Sequence, residues 1–336
     1  MSILVRVLLI SVVFFLSSCQ SDTKPSVTIY CAHDRVHAEQ ILDLFEAETG
    51  IRVDAIFDTE ANKTVGLAER LRAERERPRC DVHWSNEPLR SVRLSHEGLF
   101  RKMPSDLGAA IPEMWKDKSG LWCGFAGRVR VLAVQPTAPA GEWTGPVSMK
   151  QLTEDQWLGK VALADPRFGT TGSHLAIIRS IEGKESYLNL LEGLQMNDVQ
   201  LVSSNSASRD RVLAGEAWIG VTDTDDIEVV RRRGESIGEV FLSTDGDVLL
   251  PNVIALVKGS PNPTEGEILA RWLLSSRVEE LLAASSSRQV PLIPGTSVPV
   301  GGLSIEDLDP LVIDWDDAAD ALPAAIQEAE RYLLDR

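Results

Sequence analysis

Tyrosine, cysteine and histidine are scarce: the 336 residues include three Tyr, four Cys and five His. With so few cysteines, a small disulfide-stapled scaffold is excluded, and a chain of about two domains of ~150 residues each can build its cores without staples. Basic residues are outnumbered as well, 34 Lys and Arg against 50 Asp and Glu, for a net charge of −16. A surface this acidic argues against nucleic acid or an anionic membrane face as the main partner, though it does not describe any single pocket. There is no P-loop, dinucleotide fingerprint, nucleophile elbow or His-Glu-x-x-His helix, and Ser173 and His174, adjacent at a helix start, diverge instead of forming a nucleophile–base pair. No enzymatic activity is expected. Beyond residue 16, no apolar run approaches the ~20 residues that a membrane span needs.

The N-terminus carries a more specific signal. Arg6, an apolar run from Val7 to Leu16 and small residues Ser17 and Ser18 precede Cys19, the order of an export signal over residues 1–18. Leu16-Ser17-Ser18-Cys19 also resembles a bacterial lipobox, which implies cleavage before Cys19, lipidation of that cysteine and a membrane-anchored protein facing the periplasm or cell exterior. Residues 19–26 then read as a polar tether. Cys31, Cys80 and Cys123 remain, and in an oxidising compartment they form either one bridge with a thiol left over or three buried thiols.

The mature chain alternates strand and helix patterns. Val27–Cys31, Ile51–Ile56 and Asp81–Trp84 read as strands, separated by amphipathic helices over Val36–Glu48, with Gly50 as its cap, and Val65–Arg77. The Arg and Glu residues of the second helix read as a solvated face laced with ion pairs. Leu121–Gln135 and Val161–Ala164 begin a second unit, followed by helices at Gly172–Ile181 and Ser186–Leu194, strands at Leu201-Val202, Trp218–Val221 and Val253–Val257, and one helix over Glu265–Ala284. This order implies an α/β fold with parallel sheets, whose ligands bind beyond the carboxyl ends of the strands. Candidate site residues therefore belong to the loops that follow strands, first His33, Asp34, Asn86 and Glu87.

The landmarks in order are Val27-Thr28-Ile29-Tyr30, Phe45-Glu46-Ala47-Glu48-Thr49-Gly50, Cys80-Asp81-Val82-His83-Trp84-Ser85-Asn86-Glu87, Arg128-Val129-Arg130-Val131, Asp165-Pro166-Arg167-Phe168-Gly169-Thr170, Ala214-Gly215-Glu216 and Gly259-Ser260-Pro261. Together they resemble bacterial extracytoplasmic solute-binding proteins of ABC importers, in particular the ferric-iron-binding branch with the class II periplasmic-binding-protein fold. The resemblance covers nearly the whole mature chain. It implies two lobes, each a mostly parallel sheet flanked by helices, which close over a ligand on hinge strands; only a ligand that binds the closed state better can drive that closure. It places lobe I at 27–127 plus 250–290, lobe II at 128–249, and a C-terminal segment, 291–336, packed on the lobes. Hinges are expected near Gly124–Arg128 and Leu249–Asn252. It also implies a monomer that delivers its ligand to an ABC permease in the inner membrane. A lipoprotein feeding a signalling partner would have the same sequence.

Two chemistries compete for the cleft: ferric iron with a synergistic anion, as the resemblance implies, and an organic anion, a phosphorylated or carboxylated small molecule. Gly169-Thr170-Thr171-Gly172-Ser173-His174 opens an apolar helix, and a helix N-terminus is a ready anion site. Arg128 and Arg130, two apart on a strand, share a face and could clamp an anion, and Asn205 precedes the next helix. The plainer alternative is that the loop only caps its helix and the arginines only pair with carboxylates. In the resembling family the matching loop and asparagine hold phosphate or carbonate beside Fe3+. That family binds iron through a tyrosine pair near the position of Asp223-Thr224-Asp225-Asp226, where this chain has none; His33 or Asp34 and Asn86 or Glu87 match its other ligands. Asp34, Glu87, Asp223 and Asp225 could hold a hard cation or an amine, or Asp223 and Asp225 could simply cap a helix. Cys31, His33, Cys80 and His83 are donor types suited to zinc or copper, without a recognised spacing. Trp84 and Trp122 are the tryptophans best placed to stack on a ligand.

Overall fold

The structure, a computed structural model, describes residues 24–58, 65–135, 145, 147–242 and 246–335. Residues 1–18, expected to be an export signal, and Cys19 lie outside the described residues. Among the described residues, no helix is long and apolar enough to cross a membrane.

The strands are β1 (Ser26–Cys31), β2 (Arg52–Phe57), β3 (Val82–Ser85), β4 (Phe100–Arg101), β5 (Cys123–Val134), β6 (Val161–Ala164), β7 (Gln200–Val202), β8 (Ile219–Asp223), β9 (Gly238–Phe241) and β10 (Leu249–Val257). They form one sheet in the order β2-β1-β3-β10-β5-β8-β6-β7, with β4 on β10 and β9 on β5. β2-β1-β3 and β8-β6-β7 are parallel triplets. The antiparallel pair β10 and β5 joins them. β5 runs parallel to β3 as it leaves the first triplet and antiparallel to β8 as it enters the second. The carboxyl ends of the two triplets therefore point at each other, and the loops after β1, β3, β6, β7 and β8 meet at one cleft. This is the two-lobed α/β architecture that the family resemblance implies.

The helices are α1 (Arg35–Thr49), α2 (Val65–Ala73), α3 (Pro88–His96), α4 (Gly169–Met196), α5 (Asn205–Leu213), α6 (Thr224–Arg231), α7 (Pro263–Leu273), α8 (Ser276–Ala284) and α9 (Trp315–Ala329). Gly50 ends α1 in the left-handed conformation with its N–H on the Glu46 carbonyl, as its sequence position predicts. Several boundaries differ from the sequence expectation. α2 ends at Ala73, and Ser26 already belongs to β1. α4 begins at Gly169 and continues to Met196 with a break at Gly183, whose φ of 83° only glycine adopts at ease. The single helix expected over Glu265–Ala284 is two, because the Ser275 hydroxyl accepts the Val278 N–H and starts α8 afresh.

β5 and β10 are irregular at the same level. Their register shifts between Pro251 and Asn252, and Ala126 has a φ of 32°. The Asn252 amide donates to the carbonyls of Phe125 and Ala126 and to Gln289. Buried Glu279, on α8, accepts the N–H groups of Ala126, Leu292 and Ile293 at 2.8, 3.0 and 2.9 Å. Backbone groups that the broken ladder leaves over are thus paired by side chains.

From the C-terminal segment, α9 packs on both α3 and α4. Pro323 lies inside it and has no N–H for the carbonyl of Ala319; Arg93 of α3 donates to that carbonyl at 3.4 Å. On the other side, Tyr187 of α4 donates to the Ala325 carbonyl and Arg179 pairs with Glu328.

Candidate functional site

Five helices start at the cleft, each directly after a strand of one of the parallel triplets. The cavity between them is lined by Asp34 at the start of α1, Asn86 before α3, Phe168 to Thr170 at α4, Ser204 to Ser206 at α5, and Asp225 and Asp226 at α6, with Arg128 of β5 on its wall. Its volume is about 80 Å³. A space of that size holds on the order of five waters or one small polyatomic ligand. Helix N-termini bring unpaired N–H groups and the positive ends of their dipoles to a shared point, which favours a negative group there.

Arg130 is fully buried, and its guanidinium is spoken for. Nη1 lies 2.5 Å from Asp223 and donates to Thr170 at 3.0 Å, Nη2 reaches Thr171 at 3.5 Å, and Nε faces His174 Nδ1 at 3.5 Å. Burial, then the neighbouring Arg130 charge, holds His174 well below the usual histidine range, and the neutral ring accepts from Arg130 Nε through Nδ1. Asn205 closes the network, donating to Thr170 and Asp223 and accepting from Thr171. The plainer expectation, arginine paired with carboxylate, therefore holds for Arg130: with Asp223, Thr171 and His174 it forms a neutral, internally satisfied floor.

Arg128 differs. It is 5% exposed, with Nη1 2.9 Å from Asp225 and 3.9 Å from Asp223. Its buried Nη2 has no hydrogen-bond partner. Burial works against the guanidinium charge, but Asp225, Asp223, Asp34 and Asp226 outweigh it, and Arg128 stays a cation. On α6, burial followed by repulsion from Asp225 and Asp223 pushes Asp226 up to about 7.

Other expected site residues are turned away from the cavity. Gly172 allows close packing: a Cβ there would lie 2.4 Å from the Pro166 carbonyl oxygen. Gly172→Ala is expected to displace the start of α4 and cost about 1–3 kcal/mol of stability, checked by urea unfolding; a loss below 0.5 kcal/mol would rule the contact out as a constraint. Ser173 donates to Glu87, and the same carboxylate accepts from the Leu89 and Arg90 N–H groups as the N-cap of α3. Glu87 is thus a fully buried tie between the starts of α3 and α4, and Arg90 adds a second crossing bond to the Arg167 carbonyl at 2.7 Å. Trp84 has no exposed surface; it stacks with His33 at 5.3 Å and meets Phe125 at 5.5 Å, so neither Trp84 nor His33 lines the cavity. Trp122 packs edge-on against Trp315.

Cys31, Cys80 and Cys123 are buried, and no disulfide links one to another. The zinc or copper grouping does not assemble either: His83 bonds Ser91 and stacks on Phe100, while the Cys80 thiol points to the Val82 carbonyl. Among the described residues, the one grouping with metal-ligand proximity is Asp223, Asp225 and Asp226, within 4.8 Å of one another. No tyrosine joins it. Tyr30 donates to Glu74, Tyr187 to Ala325, and neither these nor Tyr332 lines the cavity. Sequence reasoning missed Ser204 and Ser206, although a run of Ser and Asn directly after a strand is the signal that marks them; Ser204 caps α5 by accepting the Ala207 N–H at 3.1 Å.

Residues 27–285 match the family model described as bacterial extracellular solute-binding protein. The chain belongs to that family. Among curated relatives, it is 25% identical over 302 residues to iron uptake protein A1 of Synechocystis sp., covering 83% of this chain and 82% of that one. It is 26% identical over 336 residues to the putative 2-aminoethylphosphonate-binding periplasmic protein of Salmonella typhimurium, covering 96% of each. Among solved structures, iron-bound HitA from Pseudomonas aeruginosa superposes with a TM-score of 0.82 at 21% identity, over 91% of this chain and 99% of that one. This solute-binding protein thus has the two-lobed fold of that group.

Proposed function

We propose that this solute-binding protein is the capture component of an ABC importer and that its ligand is a small organic anion, of the phosphonate or phosphate-ester class, held in the cleft between the lobes. One observation carries the proposal: the buried, unpartnered Nη2 of Arg128 on the wall of a cavity at which helix N-termini converge. A buried donor without an acceptor costs about 1–3 kcal/mol, which an anion in the cavity would recover. The relative named for 2-aminoethylphosphonate is consistent with this class. The N-terminal segment ending at Cys19 would supply a lipid anchor outside the cytoplasm, with the permease as partner.

Ferric iron, the cargo named for the other relatives, is the second reading, supported by the three clustered aspartates. Hard-anion donors are available, but Asp223 is committed to Arg130 and Asp225 to Arg128, and no phenolate lines the cavity. Calorimetric titration of the mature protein decides between them. Ethylphosphonate is expected to bind, with an affinity that falls about 10–100-fold in Arg128→Lys. Tight binding of ferric ion with all phosphonates and phosphate esters inert would overturn the anion reading.

A further inference from the structure

Among the described residues, carboxylates crowd the cavity. Asp34, Asp165, Asp225 and Asp226 line it, and Asp223 lies directly behind. Opposing them, Arg130 is taken by Asp223, Arg128 by Asp225 and Arg167 by Asp165, its Nη2 at 2.6 Å from that carboxylate. Asp226 is paired less closely than Asp223, Asp225 or Asp165. Among the described residues its one ion-pair partner, Arg209 of α5, stands 3.5 Å away and is shared with Asp210 at 2.7 Å; its side chain otherwise accepts from the Thr222 hydroxyl, and Arg128 acts on it at longer range. The cavity thus has a buried guanidinium N–H in need of an acceptor on one wall and a carboxylate in need of a cation on another. A single small ligand with both charges satisfies each.

On the footing of the anion reading above, we infer that the ligand is a zwitterion of a few heavy atoms, its anionic group at Arg128 and the helix N-termini and its ammonium group at Asp226, which selects amine-bearing ligands over amine-free anions of the same size. Arg128 Nη2 has no hydrogen-bond partner while Nη1 pairs with Asp225, so the wall at Arg128 is the one assigned to the anionic group.

The test titrates the mature protein with 2-aminoethylphosphonate and with ethylphosphonate, as wild type and as Asp226→Asn. The wild type is expected to prefer the amine-bearing probe by about 10–100-fold. In Asp226→Asn, the preference is expected to fall to about threefold or less. Equal affinity of wild type for the two probes, or a preference that survives in Asp226→Asn, would overturn the zwitterion inference and leave the anion reading intact. If neither probe binds and ferric ion does, the anion reading fails and this inference with it. The comparison of the two probes on the wild type does not depend on the variant, so it decides even if the variant folds poorly.

Discussion

Replacing Arg130 with methionine is expected to cost about 3–5 kcal/mol of folding stability, the range for removing one partner of a buried ion pair. The size follows from what would be left behind. Asp223 has no exposed surface, and without Arg130 its charge would keep only the Thr170 hydroxyl and the Asn205 amide as donors. The long strand β5 supplies Arg130 and the end of β8 supplies Asp223, at directly paired positions of the sheet. Loss of the pair therefore loosens the start of α4 and the start of α5 together. A thermal scan is expected to move down by on the order of 10 °C. Arg130→Met combined with Asp223→Asn is expected to recover part of the loss, because the second change removes the stranded charge while keeping a hydrogen-bonding side chain. A shift of the single variant below about 1 kcal/mol would mean that Asp223 finds solvent or another cation, and the floor of the cavity would need a different description.

Glu279→Ala is expected to be as damaging, by about 3–5 kcal/mol, although no ligand is near it. Three backbone N–H groups, of Ala126, Leu292 and Ile293, bond to that one carboxylate, and each buried donor left without an acceptor costs about 1–3 kcal/mol before relaxation. Burial pushes the Glu279 carboxyl above the usual range, while the three N–H bonds act the other way. Glu279→Gln keeps one oxygen that can accept from Ala126 and Leu292 but turns an amide N–H2 or a misplaced oxygen toward Ile293, so it is expected to lose less. Because the Ala126 N–H lies at the irregular crossing of β5 and β10, the alanine variant is also expected to raise hydrogen exchange at Phe125–Gly127 ahead of the sheet on either side. Uniform exchange with unchanged stability would show that the crossing does not depend on this carboxylate.

Much of the fold was legible because its signals are local. The alternation of β-branched strands and amphipathic helices gave the α/β class and Gly50 marked the end of α1; the rule that ligands gather beyond the carboxyl ends of parallel strands pointed to Asp34 and Asn86, which line the cavity, and to His33 and Glu87, which do not, while the helix-start loop gave Thr170 and the family resemblance gave Asn205 and Asp225, all three in the lining. Legibility failed where a residue's task depends on a distant partner. Ser173 looked like part of an anion loop and instead bonds Glu87, 86 residues away. Trp84 looked available for stacking and is enclosed by His33 and Phe125. Nothing in the pattern around Glu279 announces a carboxylate at the centre of the fold, because its partners are backbone groups of a strand 153 residues earlier and of a loop after α8.

Arg128 and Arg130 mark the boundary between the two kinds of information. By itself the sequence determined that two arginines share one face of a strand, that a Thr-rich helix start lies in the same cleft, and that no tyrosine accompanies the aspartates at 223–226. Only the tertiary structure decided that Arg130 is neutralised by Asp223, 93 residues away, while Arg128, two positions earlier, keeps a buried N–H with no acceptor. The reason is physical: side-chain alternation sets which face a residue takes, but the pairing of strands and the packing of helix ends set which charges meet, and in a buried cleft that meeting decides whether a charge is spent on the fold or left for a ligand.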